Sequence, residues 1–237
     1  MAIEEKEVVE AAAEVEEEEE DVMIKMGSYG GMVRMVSEEA AEEIMLLWGI
    51  QQPTLSTHNA FVRQSSLQLH LDACGRSLTI LQSPSSMSTP GVTGAVMWDS
   101  GVILGKFLEH AVESDMILLQ GKKVIELGSG CGLVGCIASF LGAQVILTDL
   151  PDRLRLLKKN VEANLYGDVR GSAAVTELIW GNYLDPELSN PLPDYDAVLE
   201  YFLEAAMKEF TIGRVDQTQW HPDYRSPRVV IYVLVKR

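Results

Sequence analysis
The chain predicts an α/β protein built on a doubly wound, mostly parallel sheet of Rossmann-like type, and three observations carry that expectation. From about residue 96 onward, short apolar strand patterns alternate with helical ones; residues 124–135 run from a strand through a glycine-rich turn into a buried helix; and an acid, Asp149, closes the next strand. Strand and helix in alternation build parallel sheets, and the ligands of such folds bind beyond the carboxyl ends of the strands.

At 237 residues and 47% hydrophobic composition, the chain can bury the core of one large domain or two small ones. Its charge is unevenly spread. Residues 1–21 hold 11 acidic groups and one lysine, leaving 24 acids against 18 bases for everything else. A block such as Glu16-Glu17-Glu18-Glu19-Glu20-Asp21 repels itself and has little to bury, so residues 1–36 are expected to form a disordered acidic tail. With a net charge of −16 and no basic cluster, neither nucleic acid nor a membrane surface is an expected partner. The longest weakly polar run, residues 132–147, falls short of the roughly 20 residues that span a bilayer. Cys74, Cys131 and Cys136 are too few and odd in number for a disulfide framework, and the first residues lack the basic-then-apolar pattern of a secretory leader. A reducing compartment, cytoplasmic or also nuclear, is the expected address.

In chain order, a first helix is predicted after Ser37 as N-cap, with Glu38 and Glu39 near its positive end and Ile44, Leu47 and Trp48 as its buried stripe. Gln51-Gln52-Pro53 ends it. Leu67, Leu69 and Leu71 alternate with polar residues, and Ala73-Cys74-Gly75-Arg76 turns the chain into Leu78-Thr79-Ile80-Leu81, which predicts a hairpin. Residues 83–91 read as a loop. Residues 37–95 are therefore taken as an N-terminal helix and hairpin elaboration, and 96–237 as the main domain. There, Leu104, Phe107, Leu108 and Ala111 predict a helix capped by Asp99 or Ser100. A strand at Val124-Ile125, a helix over 133–141 and a strand over 144–147 follow. Pro151 then opens a helix carrying Leu154, Leu157, Val161 and Leu165, which stops near Gly167. Strands are expected over 173–179 and 196–199, a helix with Leu199, Phe202, Leu203, Ala206 and Phe210 on one face, and strands near 211–215 and 229–235.

The turn Glu126-Leu127-Gly128-Ser129-Gly130-Cys131-Gly132 carries the chemistry. Glycines there let a ligand approach bare backbone at a helix N-terminus. Gly130, Gly132 and Gly135 satisfy the dinucleotide spacing, and Asp149 lies 19 residues after Gly130, where a carboxylate can hold ribose hydroxyls. Two cofactor classes fit that spacing. Glu126 separates them, because a carboxylate about 4 Å from a pyrophosphate would repel it by roughly 4 kcal/mol at an effective dielectric of about 20. A ligand carrying an ammonium and a sulfonium gains from the same group, and S-adenosylmethionine is such a ligand. The four histidines, His58, His70, His110 and His221, have no ligand spacing, so no metal is expected.

Glu126 to Gly132 together with Thr148-Asp149 resembles the first two motifs of the seven-stranded S-adenosylmethionine-dependent methyltransferases. Met97-Trp98-Asp99-Ser100-Gly101, Asn160, Asn164 and Ile179-Trp180-Gly181 resemble, more narrowly, methyltransferase family 16, the protein-lysine methyltransferase-like branch. The similarity covers about residues 55–199 and resumes from Trp220-His221-Pro222 to Val235. It implies that Gly128, Ser129 and Gly130 contact the methionine part of S-adenosylmethionine. It also implies that Asp149 holds the ribose and that Trp98 and Trp180 line the pocket. An aromatic face suits both adenine and a sulfonium. The implied activity is methyl transfer to a lysine of a protein substrate by a monomeric enzyme.

One family feature is missing. The resemblance implies an Asp-aliphatic-aliphatic-Tyr motif at the end of the fourth strand, but the chain passes from Asp194-Tyr195-Asp196-Ala197-Val198 directly to Leu199-Glu200-Tyr201. Only 39 residues remain from Leu199, so a helix-strand unit of about 30 residues is expected to be lost near Val198 and Leu199. The last strand would then pair with the fourth or expose an apolar edge. No residue is assigned as catalytic. A silent cofactor- or partner-binding form stands as the alternative, and an NAD-dependent oxidoreductase as the less favoured third.

Overall fold
The computed structural model describes residues 23–36, 60–88, 94–179, 197–199 and 210–236. Its first half holds the strands β1 (Met23–Met26), β2 (Tyr29–Met35), β3 (Gln68–Ala73) and β4 (Arg76–Leu81) and the helix α1 (Asp99–Glu113). Then come β5 (Lys123–Glu126), α2 (Leu133–Phe140), β6 (Gln144–Asp149), α3 (Leu154–Asn164) and β7 (Ser172–Glu177). Three strands complete the described residues: β8 (Ala197–Leu199), β9 (Phe210–Val215) and β10 (Tyr232–Lys236).

The expected parallel sheet is present, in the order β7, β6, β5, β8, with every pair parallel. Its centre is apolar on both faces because helices cover it. Val124, Val145 and Leu147 are buried, and all eight residues of α2 are buried beside them. Helix α1 packs against α2 so closely that a Cβ on Gly105 would stand 2.6 Å from Ile137 Cδ1, which explains a glycine inside a helix. Helix α3 buries Leu157 and Val161 and leaves Lys158 and Lys159 in water, the division its spacing predicts.

Three expectations change. Residues 23–35, expected within the disordered tail, form the hairpin β1–β2, because Met26, Tyr29 and Val33 find apolar cover that the acidic run before them lacks. Tyr29 stacks at 6.4 Å from Phe107 of α1, and the Gly30 N–H donates to Met116 O at 2.7 Å. Helix α1 is not capped by Asp99 or Ser100. Trp98 occupies the N-cap position with no side-chain capping bond to the first turn of the helix, and the Asp99 carboxylate instead accepts the Ala60 and Phe61 N–H groups at 2.6 and 3.0 Å. Finally, β10 pairs with β9, and β9 pairs with β2, in a second, antiparallel sheet ordered β1, β2, β9, β10. The last strand thus takes β9 as its partner in place of the fourth strand, and β9 in turn takes the amino-terminal hairpin. The predicted helix after Ser37 lies outside the described residues, as do residues 200–209 of the helix predicted from Leu199 to Phe210, whose two ends are strand instead: Leu199 closes β8 and Phe210 opens β9.

Where the two hairpins meet, Gly213 sits opposite Met35, and a Cβ on it would stand 2.4 Å from Val33 Cγ2 and 3.0 Å from Met26 Sδ. Gly213→Val should therefore cost about 1–3 kcal/mol by overpacking, read as a lower urea midpoint with an unchanged slope.

Candidate functional site
Beyond the end of β5 the backbone winds through Gly128, Gly130 and Gly132 with φ of 65°, 54° and 82°. Side-chain-bearing residues avoid that left-handed region, so three glycines in five residues are what this path requires. Gly132 also starts α2 under close packing, since a Cβ there would stand 2.6 Å from Leu157 Cδ1 of α3.

Ser129 and Thr148 lace the turn to β6. The Ser129 N–H donates to Thr148 O at 2.9 Å, and its Oγ accepts the Thr148 N–H at 3.1 Å. The Thr148 hydroxyl donates to Glu126 O at 2.7 Å, and the Ser129 hydroxyl reaches the same oxygen at 3.3 Å. One residue further, Asp149 Oδ2 accepts the Gly130 N–H at 2.6 Å while Oδ1 accepts the Leu150 N–H at 2.7 Å. Each carboxylate oxygen keeps lone-pair capacity for hydroxyl groups of a ligand.

Glu126 differs from its expected placement beside the ligand. It is enclosed under the turn, only 6% exposed, and its Oε2 meets no hydrogen-bond partner among the described residues. A Cβ on Gly135 would stand 2.5 Å from that oxygen, so the carboxyl lies against the first turn of α2, where the helix dipole is positive. Burial pushes its pKa up to about 8, and the charge of Asp149 adds to the rise; the Ser129 hydroxyl and the Gly135 N–H act against it. A cation brought near this carboxyl would favour its charged form, which burial otherwise disfavours.

A strap ahead of α1 covers the other side of the turn. A Cβ on Gly94 would stand 3.4 Å from Gly130 Cα and 3.7 Å from Asp149 Oδ2, and Cys131 Sγ donates to Gly94 O at 3.7 Å. Buried Gln82 holds the strap. Its Oε1 accepts the Met97 N–H at 2.7 Å, and its Nε2 donates to Arg63 O and Ser66 O at 3.2 and 2.9 Å. Neither Gly94 nor Gln82 was picked out from the sequence, where a second glycine pair, Gly91 and Gly94, was the available signal.

Of the predicted site residues, Glu126, Gly128, Ser129, Gly130 and Asp149 are brought together. Trp98 stands at the head of α1, at the end of the strap, and is 42% exposed. Leu150 and Ile179, just past β6 and β7, are exposed apolar residues at the same ends of the strands. Trp180 lies outside the described residues. A separate cavity of about 360 Å³ between Arg76, Glu113, Phe140 and Asp168 shares no residue with this site.

The model of the lysine methyltransferase family, methyltransferase family 16, matches residues 77–202. Among relatives, the protein N-lysine methyltransferase METTL21A of Mus musculus is 49% identical over 92 residues, 38% of this chain and 40% of that protein. Its Danio rerio counterpart is 43% identical over 105 residues, 44% of this chain and 45% of that one. The EEF1A lysine methyltransferase 3 of Xenopus tropicalis is 41% identical over 131 residues, 55% of this chain and 52% of that protein. The chain spans about half the length of the curated relatives it matches.

The enclosed carboxyl sets a pH dependence. Below its ordinary value of 4.5, Glu126 is protonated in both folded and unfolded chains, whereas from there to about 8 only the folded chain keeps the proton. Its contribution to stability therefore falls as pH rises through that window, by at most about 1.4 kcal/mol per pH unit, and levels off above it. Glu126→Gln should lack this decline, so urea midpoints at about pH 5 and about pH 8 should converge in the variant relative to wild type.

Proposed function
The chain belongs to the lysine methyltransferase family, whose model matches residues 77–202 of it, and on that footing we propose that it transfers a methyl group from S-adenosylmethionine to a lysine of a protein substrate. The observation that most supports the reading is the 2.6 Å bond from the Gly130 N–H to Asp149 Oδ2, which draws glycine turn and acid into one site at the carboxyl ends of β5 and β6.

When bound, S-adenosylmethionine supplies an electrophilic methyl on a sulfonium, whose sulfur keeps the electron pair of the broken carbon bond as the lysine nitrogen forms its own. The remaining work belongs to the chain. Asp149 offers its carboxylate to the ribose hydroxyls, and Gly128, Ser129 and Gly130 offer backbone to the methionyl part. Trp98 and Trp180, with exposed Leu150 and Ile179, supply apolar surface for the purine and the sulfonium. Glu126, enclosed under the turn and protonated in the folded chain up to about pH 8, sets no charge against a pyrophosphate at neutral pH, and a cationic ligand nearby would favour its ionised form. Transfer to a deprotonated amine asks for alignment rather than acid-base machinery, so a site made mainly of backbone and one carboxylate is chemically sufficient on the cofactor side.

The relatives' names speak of protein lysines and of EEF1A; for this chain the substrate is read no more narrowly than a protein lysine. The chain is read as a monomer of the cytoplasm or nucleus, in keeping with its three free thiols. Neither nucleic acid nor membrane enters the reading: the net charge is −16, and among the described residues no helix is long and apolar enough to cross a membrane. A second reading, a silent form that binds cofactor or a partner, is favoured by the run Asp196-Ala197-Val198-Leu199-Glu200-Tyr201, which lacks the Asp-aliphatic-aliphatic-Tyr motif.

Calorimetric titration with S-adenosylhomocysteine, with NAD as control, tests the proposal. Saturable binding of the former alone is expected, weakened about tenfold or more by Asp149→Ala because a charge-assisted bond is lost. A folded chain that binds NAD instead, or neither ligand, would overturn it. Methyl incorporation into protein lysines by the binding-competent chain then separates enzyme from silent form.

A further inference from the structure
Asn160 and Asn164 stand one turn apart on α3, about 6 Å along the helix axis. Thr79 and Leu81 are alternate residues of β4, separated by nearly the same distance, about 6.8 Å. That match lets two side-chain amides serve as a partner strand for the edge of β4 that faces away from β3. Asn164 Oδ1 accepts the Thr79 N–H at 2.9 Å, and its Nδ2 donates to Thr79 O at 3.0 Å. Asn160 repeats the pattern one step along, accepting the Leu81 N–H at 2.9 Å and donating to Leu81 O at 3.0 Å.

The two asparagines differ in their second amide hydrogen. Asn164 spends it within α3, on the Asn160 carbonyl at 2.7 Å. Asn160, fully buried, spends it on Cys131 O at 2.9 Å, inside the glycine turn. Cys131 stands between Gly130 and Gly132, two residues whose backbones have the widest conformational freedom, so a single anchored carbonyl removes much of the turn's room to reorient. The Gly130 N–H that Asp149 accepts is one residue away.

We propose that Asn160 is a positioning residue of the glycine turn, its side-chain amide fixing the Cys131 peptide to hairpin β3–β4 and to the helix that follows Asp149. Cofactor affinity then depends on a side chain that touches no ligand. This affinity consequence rests on the reading of the turn as an S-adenosylmethionine site; the mechanical role does not.

The test compares Asn160→Asp, Asn160→Ala and Asn164→Ala in the full chain by amide hydrogen exchange over residues 128–135 and by titration with S-adenosylhomocysteine. Asn160→Asp keeps an acceptor for Leu81 but donates to neither carbonyl. Both Asn160 variants should raise exchange of the turn about tenfold and weaken ligand binding by a similar factor, whereas Asn164→Ala, which removes an equivalent pair of bonds to β4, should leave both within about twofold. Equal effects from the two positions, or a turn as protected in Asn160→Asp as in wild type, would overturn the proposal. If neither Asn160 variant folds, the wild-type chain decides: scalar coupling across the hydrogen bond from the Asn160 amide to the Cys131 carbonyl is expected, and its absence overturns the assignment. A wild-type chain that binds no ligand, yet whose turn loosens selectively in Asn160→Asp, would overturn the cofactor reading and uphold the mechanical role.

Discussion
The short bond between the Gly130 N–H and the Asp149 carboxylate exists because the chain between Glu126 and Leu133 carries no side chain at Gly128, Gly130 or Gly132. Three separate parts of the molecule, α3, the end of β5 and the strap, converge on the turn and the start of α2 that follows it. Leu157 of α3 occupies the space a Cβ on Gly132 would need, Glu126 the space a Cβ on Gly135 would need, and Gly94 of the strap lies against Gly130. Asn160 holds the carbonyl between them. Alanine at any of the three would meet a disfavoured φ, and at Gly132 it would also press on Leu157 of α3, so the path of the chain, the packing of two helices and the presentation of the acid are one constraint.

Much of this was legible in the sequence. The distance from Gly130 to Asp149 follows from a strand, a turn, a helix and a second strand of ordinary length, so spacing alone brought turn and acid together, and the alternation of periods announced a parallel sheet without giving its strand order β7, β6, β5, β8. The direction of Glu126 was not legible. A residue at the last position of a strand can face the crevice or the following helix, and only the packing of Gly135 and Leu147 sends it inward. Gln82 and Gly94 escaped for another reason: their contacts join stretches of chain that share no period, and a buried amide bonded to three backbone groups looks, in sequence, like any polar residue at the end of a hairpin. Asn160 and Asn164 were visible through family resemblance alone, and their physical role emerged only when the rise of a helical turn was set against that of a strand.

The carboxyl-terminal strands join the amino-terminal hairpin in a sheet of their own and not the parallel sheet. Strand β9 takes β2 as its partner, with Val33 opposite Val215 and Met35 opposite Gly213, while Trp220 is buried just beyond it. Tyr224 then packs on Phe61 at 5.2 Å, and Lys106 Nζ lies 5.3 Å from the centre of the Tyr224 ring. Residues near both ends of the chain thus close over α1, on which the strap is also mounted. The strands at 23–35 were hidden in the sequence by their neighbourhood, since a glycine pair and a short methionine-rich run beside a polyacidic block carry little periodic signal.

Titrating the isotope-labelled chain with S-adenosylhomocysteine while following backbone amide resonances addresses the central claim most directly, because it reports where a ligand sits as well as whether it binds. The account predicts saturable shifts centred on Gly128, Ser129, Gly130 and the Asp149–Leu150 amides, with smaller ones at Gly94. Shifts confined to other parts of the chain, or none from a folded sample, would contradict it.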